Sequence, residues 1–328
     1  MLCIRRREFI TLLGGATAWP LGARAQQPGK TPTIGYLAPT NPATPSRNTN
    51  TLLQRLRELG WVEGSTVTIE TRWAEGRPER VAEIAVEFIR LKVDVIITSS
   101  TNDSIEMKRA TSVVPIVFAV SGDPVGAGLV TSLARPGGNV TGLSIQQTDS
   151  AGKRIELLRE IVPSLSRLAV LANPDSPNVV LELAEIQAAA RSIGLDVARS
   201  EIRRAADIDS TFELLKARAD AVYVVSDPLV NSNRTRIGML AVDARLPTIY
   251  GFRELVEAGG LMSYGPNLPD LYRRAAEIVD KILRGMKPGE IPVEQPTRFD
   301  LIINLRTARA LGLDLPISLL GRADEVIE

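Results

Sequence analysis

The chain has 328 residues, a length that suggests two domains. It is 44% hydrophobic and 23% charged, a composition that argues against a disordered chain. The 39 Lys and Arg residues and 38 Asp and Glu residues leave a net charge of +1, which argues against a broad basic surface for nucleic acid. There is no histidine and one cysteine, Cys3, so His- or Cys-based zinc sites, histidine-dependent triads and structural disulfides are excluded.

Residues 1–25 have the features of an export signal. A basic start precedes an apolar stretch, Ile10 to Leu21, which is too short to span a membrane, and Ala23-Arg24-Ala25 is typical of a signal peptidase site. Arg6-Arg7-Glu8-Phe9-Ile10 fits the twin-arginine motif. Cys3 lies before the apolar stretch, whereas the cysteine of a lipoprotein would follow it. We therefore predict export to the periplasm by the twin-arginine route, without a lipid anchor.

The rest of the chain alternates between predicted strands and predicted helices. Near-continuous apolar runs indicate strands that are buried on both faces of a parallel sheet. Between them, apolar residues at spacings of three and four indicate amphipathic helices, as at Leu52, Leu56 and Leu59. This alternation predicts an α/β fold. The predicted strands are Thr33–Ala38, Val67–Trp73, Val93–Thr98, Pro115–Val120, Val140–Ser144, Arg167–Ala172, Leu195–Ser200, Ala221–Val225 and Pro247–Gly251.

The two halves of the chain resemble each other. IGYLAPTNPATP near residue 34 is similar to AVLANPDSPN near residue 169, LKVDVIITSSTN (91–102) to ARADAVYVVSDP (217–228), and SVVPIVFAVS (112–121) to ARLPTIYGFR (244–253). Parallel βα units look alike in general, but here the three pairs occur in the same order. We therefore predict two similar lobes, each a small doubly wound sheet.

Small polar residues follow several of the predicted strands, at the edge where open parallel sheets bind ligands. The free N–H groups at the start of the following helices suit a carboxylate or phosphate. Serine and threonine hydroxyls add donors, and Asp123 or Asp227 could accept from an ammonium group. Each residue alone could equally be a helix N-cap. The segments are 39–41, 98–102, 121–124, 173–176 and 226–228.

Aromatic residues make up only 4% of the chain. Trp73 ends a predicted strand, and Tyr250 lies at the end of another. These side chains could form a wall of the cleft, and packing against the next helix is an equal alternative. The glycine-rich run Arg135–Asn139 lacks the Lys-Ser/Thr of a phosphate loop, so we interpret it as a tight turn before Val140–Ser144.

Several stretches together resemble the substrate-binding proteins of ABC transporters, in the subgroup that includes the tryptophan/tyrosine-binding type. The stretches are RRREFITLLGGATAWPLGARAQQ, TRWAEGRPER, VPIVFAVSGDPVGAGLVTSLARPGGNVTGLS, KRIELLREIVP and LAVLANPDSP, and GDPV…L…RPGGNVTG at residues 122–142 is the most specific. The similarity runs from the signal to about Leu320.

The resemblance implies the type I periplasmic binding protein fold: two Rossmann-like α/β lobes with parallel sheets, joined by hinge strands. Lobe 1 would comprise residues 31–143 and 262–295, and lobe 2 residues 146–260 and 298–328. The chain would cross near Gly142–Gln146, return near Gly260–Tyr264, and cross again near Gln295–Phe299. Helix Leu271–Leu283 would belong to lobe 1 and Leu305–Gly312 to lobe 2.

The resemblance also implies solute capture rather than catalysis, without metal or cofactor. The lobes of an expected monomer would close on a small solute about the hinges, and the closed form would dock on the membrane permease of an ABC importer. An amino acid or small carboxylate is the favoured solute, ahead of a nucleoside-like or sugar-like one, and the loop Pro39–Asn50 is where subgroup members differ most. The expected ligand-binding residues are Thr40, Ser99, Ser100, Asp123, Asn173 and Asp227, with Trp73 and Tyr250 as looser matches.

Two other functions compete with this one. The same fold could present its closed form to a membrane receptor as a ligand sensor. A hydrolase or isomerase on a doubly wound fold would need a nucleophile elbow or a metal cluster, and the sequence has neither GxSxG nor histidine.

Overall fold

The computed structural model describes residues 31–38, 46–75, 77–145 and 149–328, without the side chains of Pro78, Pro177 and Asn178. The predicted export signal therefore lies outside the described residues. The described chain from Pro32 onwards forms one compact unit that contains two sheets.

The first sheet has five parallel strands in the order β2-β1-β3-β4-β5. Every residue of β3 and of β5 is buried, which is why both read as continuous apolar or small-residue runs. The strands are Thr33–Ala38 (β1), Thr68–Trp73 (β2), Val95–Thr98 (β3), Ile116–Ser121 (β4) and Val140–Ser144 (β5). Their connecting helices are Arg47–Glu58 (α1), Pro78–Leu91 (α2) and Thr101–Ala110 (α3).

The second sheet has seven strands in the order β12-β11-β10-β9-β8-β6-β7. They are Arg167–Ala172 (β6), Asp196–Glu201 (β7), Ala221–Val224 (β8), Thr248–Tyr250 (β9), Met262–Pro266 (β10), Phe299–Asn304 (β11) and Glu325–Ile327 (β12). The helices are Ala151–Ile161 (α4), Pro177–Ser192 (α5), Asp207–Leu215 (α6), Pro228–Ser232 (α7), Arg234–Asp243 (α8), Arg253–Glu257 (α9), Leu268–Leu283 (α10), Leu305–Leu311 (α11) and Ile317–Leu320 (α12), with a 3₁₀ turn at Pro288–Glu290.

The two sheets repeat one strand order. The first five strands of the second sheet run β7-β6-β8-β9-β10, which matches β2-β1-β3-β4-β5 strand for strand. The three pairs of similar sequence fall on β1 and β6, β3 and β8, and β4 and β9. This shared order is the one that the predicted duplication requires. The mostly parallel α/β lobes agree with the predicted fold class.

The chain passes from the second lobe back to the first at a later residue than predicted. Residues 262–266 were expected in lobe 1, but Met262–Pro266 pairs in parallel with β9 and antiparallel with β11, inside the second sheet. The chain therefore turns back towards the first sheet at Asn267. β10 is the counterpart of β5, and without it β9 would expose an unpaired strand edge. The antiparallel β10–β11 pair also makes the second sheet mixed rather than wholly parallel.

Helix α10 follows the second sheet in the chain but packs on the first. Asn267 caps the N-terminus of this helix, because its Oδ1 accepts a hydrogen bond from Asp270 N at 3.0 Å. Leu271, Ala275 and Ile278 recur at helical spacing and join the core that contains Ile34 of β1. After α10 the chain reaches Glu294, which forms a β-bridge with Leu143 of β5. It then returns to the second sheet at β11. No described helix has both the length and the apolar character needed to span a membrane.

The glycine-rich run before β5 is a tight turn, as predicted. Gly137 and Gly138 have φ of +70° and +63°, a left-handed conformation that side chains with a Cβ rarely adopt. The turn leads directly into Val140.

Candidate functional site

The two lobes touch along the edges where their parallel strands end. The side-chain amide of Asn48 on α1 donates to Glu254 Oε1 on α9 at 3.4 Å. Phe252, directly before α9, packs against the hydrophobic cores of both lobes. A Cβ on Gly126 would lie 3.1 Å from a methyl carbon of Leu181 in α5. The carboxyl ends of the two sheets therefore face each other across a narrow cleft, where open α/β sheets bind ligands.

Hydroxyl groups cluster at the strand ends of the first lobe. The phenol of Tyr36 in β1 shares a 2.9 Å hydrogen bond with Thr49 Oγ1, and Ser99 Oγ donates to the Leu37 carbonyl at 3.3 Å. Tyr272 of α10 lies beside Ser99. Burial raises the pKa of Tyr36 and that of Tyr272, so both phenols are neutral hydrogen-bonding groups at physiological pH.

The N-terminus of α3 opens at the same edge, after β3. Ser100 caps this helix by accepting from Asp103 N at 3.1 Å. Burial raises the pKa of Asp103 to about 6, and Asn102 Oδ1 is a buried acceptor with no hydrogen-bond partner among the described residues. Ser100 thus performs the capping role that the sequence analysis held open for it, at a position that also faces the cleft.

Asn173 and Asp227 are joined on the second-lobe side. Asn173 Nδ2 donates to Asp227 Oδ2 at 2.7 Å, and Asp227 Oδ1 caps α7 by accepting from Val230 N at 2.7 Å. Burial raises the pKa of Asp227. Next to it, Ser226 Oγ is buried without a partner in the described part of the chain. The structure thus brings two predicted residues into one polar cluster, with both Asp227 oxygens engaged.

Asp123 forms a turn after β4. Its Oδ1 accepts from Val125 N at 3.1 Å and from Gly126 N at 2.8 Å. This turn holds Gly126 against Leu181 of the other lobe, so Asp123 lies at the rim where the lobes meet.

The remaining predicted site residues are more remote or undescribed. Tyr250 is 1% exposed, and it packs in the core on one face of the second sheet, the packing alternative of the sequence analysis. Trp73 ends β2 and packs, half-buried, against the core of the first lobe. Thr40 lies outside the described residues.

Sequence reasoning missed Asn48 and Glu254. Glu254 lies in Gly251-Phe252-Arg253-Glu254, the segment directly after β9. This segment occupies the same place relative to its strand as the polar segments that were predicted to bind a ligand. Asn48 lies in the segment Pro39–Asn50 that the analysis marked as variable. A search of every strand end for acidic residues would have found Glu254, whereas its burial depends on contact with the other lobe.

A buried ion pair links several elements of the second lobe. Arg154 on α4 donates to Glu182 Oε1 of α5 at 2.8 Å and to the Tyr223 hydroxyl at 2.7 Å, and both charged side chains are 1% exposed. Arg154 Nε also donates to the Tyr264 carbonyl of β10 at 2.7 Å. These contacts tie α4, α5, β8 and β10 together next to the segments that connect the lobes.

The described residues contain no cluster of three or more His, Cys, Asp or Glu side chains that could hold a metal ion. The site offers hydroxyls, amides and carboxylates, which suit the recognition of a polar small molecule.

Comparison with known proteins identifies the family. The model of the family described as ABC transporter substrate binding protein matches residues 44–327. The chain is 28% identical over 261 residues to a tyrosine-binding protein of Clostridioides difficile, across 80% of this chain and 75% of that one.

Two solved structures are similar in fold. The structure of an ABC domain in complex with L-Trp from Streptococcus pneumonia has a TM-score of 0.83 and 25% identity, covering 91% of this chain and 100% of that one. A ligand-free, open structure of a substrate binding protein with adhesive properties from Clostridium difficile has a TM-score of 0.67 and 26% identity, covering 90% and 98%. The chain thus has the fold of the type I periplasmic binding proteins, and it belongs to the family of ABC transporter substrate binding proteins, which bind solutes and are not enzymes.

Proposed function

We propose that this protein is the exported solute-binding component of an ABC importer, which captures an amino acid in the cleft between its lobes and delivers it to a membrane permease. Substrate-binding proteins of ABC transporters work outside the cytoplasmic membrane, and the sequence of residues 1–25 supports export by the twin-arginine route.

The contact between the lobes carries the proposal. Asn48 and Glu254 form a hydrogen bond across the cleft, and Phe252 contacts both cores, so the strand ends of the two lobes lie close together. The lobe arrangement is also more similar to the L-Trp complex, with a TM-score of 0.83, than to the ligand-free open structure, with 0.67, although sequence identity and coverage are nearly equal. Both observations support a hinge protein in its closed form.

The amino-acid class is supported by two kinds of evidence. One similar protein is described as tyrosine-binding, and the similar structure from Streptococcus pneumonia is a complex with L-Trp. The cleft combines a carboxylate, Glu254, with a helix N-terminus at Ser100, and an α-amino acid carries the complementary ammonium and carboxylate groups.

A thermal-shift screen of the purified protein tests the proposal, with the common L-amino acids, small carboxylates, nucleosides and sugars as separate panels. A ligand at 100 times its Kd adds about 2.7 kcal/mol to the free energy of unfolding, which raises Tm by several degrees. We expect amino acids alone to respond, and small-angle scattering to show compaction with the responding amino acid. A response confined to sugars or nucleosides would contradict the amino-acid assignment, and binding without compaction would contradict hinge closure.

The export route has its own test. Replacement of Arg6-Arg7 with Lys-Lys is expected to retain the protein in the cytoplasm, while Arg24→Lys, near the end of the signal, leaves export intact. Unchanged export of the double variant would contradict the twin-arginine assignment.

A further inference from the structure

Two buried acceptor atoms lie together where the lobes meet. Glu254 Oε2 and Asn48 Oδ1 are both buried, and neither has a hydrogen-bond partner among the described residues. The two side chains are adjacent, because Asn48 Nδ2 donates to Glu254 Oε1 at 3.4 Å. Buried acceptors without a donor are costly, and native structures leave few of them unexplained.

In the described part of the chain, Glu254 forms no ion pair with any lysine or arginine. Its neighbour Arg253 points its guanidinium to Glu257 and Glu325, at 2.9 Å each. The nearby groups of the first lobe are the phenol of Tyr272 and the amide of Asn48, which carry no positive charge. Burial raises the pKa of Glu254, and this effect outweighs the opposing effects of the Asn48 amide and of the Arg253 charge.

Two other acidic residues at the strand ends, Asp227 and Asp123, use carboxylate oxygens for contacts within their own lobe. Asp227 uses Oδ1 for Val230 N and Oδ2 for Asn173. Asp123 uses Oδ1 for two backbone N–H groups of its turn and lies at the rim. Glu254 is half-buried, and its Oε2 is a buried carboxylate oxygen without a hydrogen-bond partner among the described residues.

We propose that Glu254 and Asn48 form the subsite that binds the ammonium group of the solute. An ammonium group has three donors and a positive charge, so it satisfies both free acceptors and the buried carboxylate at once. This inference rests on the proposed function, since it assigns one end of the amino acid that the cleft captures. Because the two acceptors come from different lobes, the ammonium group binds the closed form better than the open form and therefore favours closure.

The test uses Glu254→Gln, with Glu257→Gln as the matched control. Glu257 lies on the same helix but is exposed, so the control removes the same charge away from the cleft. Calorimetry would measure the Kd of each protein for L-tryptophan and L-tyrosine, and for 3-indolepropionate and 3-(4-hydroxyphenyl)propionate, which lack only the amino group. We expect Glu254→Gln to weaken binding of the amino acid that the wild type prefers by at least about tenfold and to change that of its desamino analogue less than about twofold. Glu257→Gln should change neither.

Other outcomes overturn the subsite. Equal loss for amino acid and desamino analogue would mean that Glu254 acts on closure or folding alone, and unchanged amino-acid binding would remove it from the site; in both cases the proposed function stands. Glu254→Asp, which keeps the charge, should recover part of the preference for the amino group if the variant is folded. If the wild type binds neither these nor any other common L-amino acid, the amino-acid function fails and the subsite fails with it.

Discussion

Asp94 and Asp220 perform the same task in the two lobes. Each lies directly before a strand, β3 or β8, and its carboxylate accepts from a backbone N–H at the start of the neighbouring strand. Asp94 Oδ2 accepts from Thr33 N at 2.7 Å, and Asp220 Oδ2 accepts from Arg167 N at 2.8 Å. The residues occupy matching positions in the LKVDV and ARADA segments, so the internal duplication extends to individual hydrogen bonds.

Asp220→Asn should destabilise the protein more than Asp94→Asn. Asp220 also accepts from Ser166 N and from the Arg167 guanidinium, at 3.0 and 2.7 Å, so the change weakens several charge-assisted hydrogen bonds. We expect a loss of about 1–3 kcal/mol in the free energy of unfolding by urea denaturation. A smaller loss for Asp220→Asn than for Asp94→Asn would contradict this ranking.

The effect of Asp220→Asn should depend on pH. The Arg167 guanidinium holds the pKa of Asp220 well below its usual value of about 3.9, so the stabilisation is fully present above that pH. It is lost as the pH falls below about 4, because protonation of the folded form costs more than protonation of the unfolded chain. The urea midpoints of wild type and variant should therefore differ at pH 7 and converge towards pH 2–3. A difference of the same size at all these pH values would exclude the ionised carboxylate of Asp220 as the source of the stabilisation.

Glu182→Ala should be among the most damaging single substitutions. It leaves the Arg154 guanidinium buried without its carboxylate, and removal of one partner of a buried pair typically costs about 3–5 kcal/mol. Glu185→Ala, an exposed position on the same helix, is the control and should cost little. Glu182→Gln keeps an acceptor for the Tyr223 hydroxyl and should fall between them. Equal urea midpoints for the two alanine variants would contradict a structural role for the pair.

Tyr250→Phe tests whether Tyr250 belongs to the core or to the binding site. The Tyr250 hydroxyl is buried near the Thr248 side chain but forms no well-aligned hydrogen bond among the described residues. Its removal relieves a desolvated polar group, so the free energy of unfolding should be unchanged or up to about 1 kcal/mol higher. We expect the affinity for the solute to stay the same. A severalfold loss of affinity in calorimetry, with stability retained, would instead make Tyr250 a ligand contact.

The sequence predicted the scaffold well because its signals are local. Continuous apolar runs located β1, β3 and β6, and the helical spacing of Leu52 and Leu56 located α1. The exceptions were β10, β11 and β12, which were not among the predicted strands. Their places in the second sheet depend on pairing with other strands, as β10 pairs with β9 and β11.

The candidate site was predicted less completely. Strand ends such as Ser99–Ser100 and Asn173 were visible, since polar residues after apolar runs mark the edge where ligands bind. Which of these side chains keeps a buried free acceptor was not visible. Asp227 uses one oxygen for a backbone N–H and the other for Asn173, and Asp123 uses Oδ1 for two backbone N–H groups, whereas Glu254 keeps Oε2 free.

The sequence by itself determined the strands β1 to β9, the duplication and the absence of histidine-based chemistry, because each of these depends on residue type and local spacing. The tertiary structure decided that β10 completes the second sheet, that Tyr250 lies in the core, and that Asn48 meets Glu254 across the cleft. Burial of a carboxylate depends on what another part of the chain places over it. Glu254 and Asn48 are about two hundred residues apart, and only the contact between the lobes leaves their free oxygens buried without a donor.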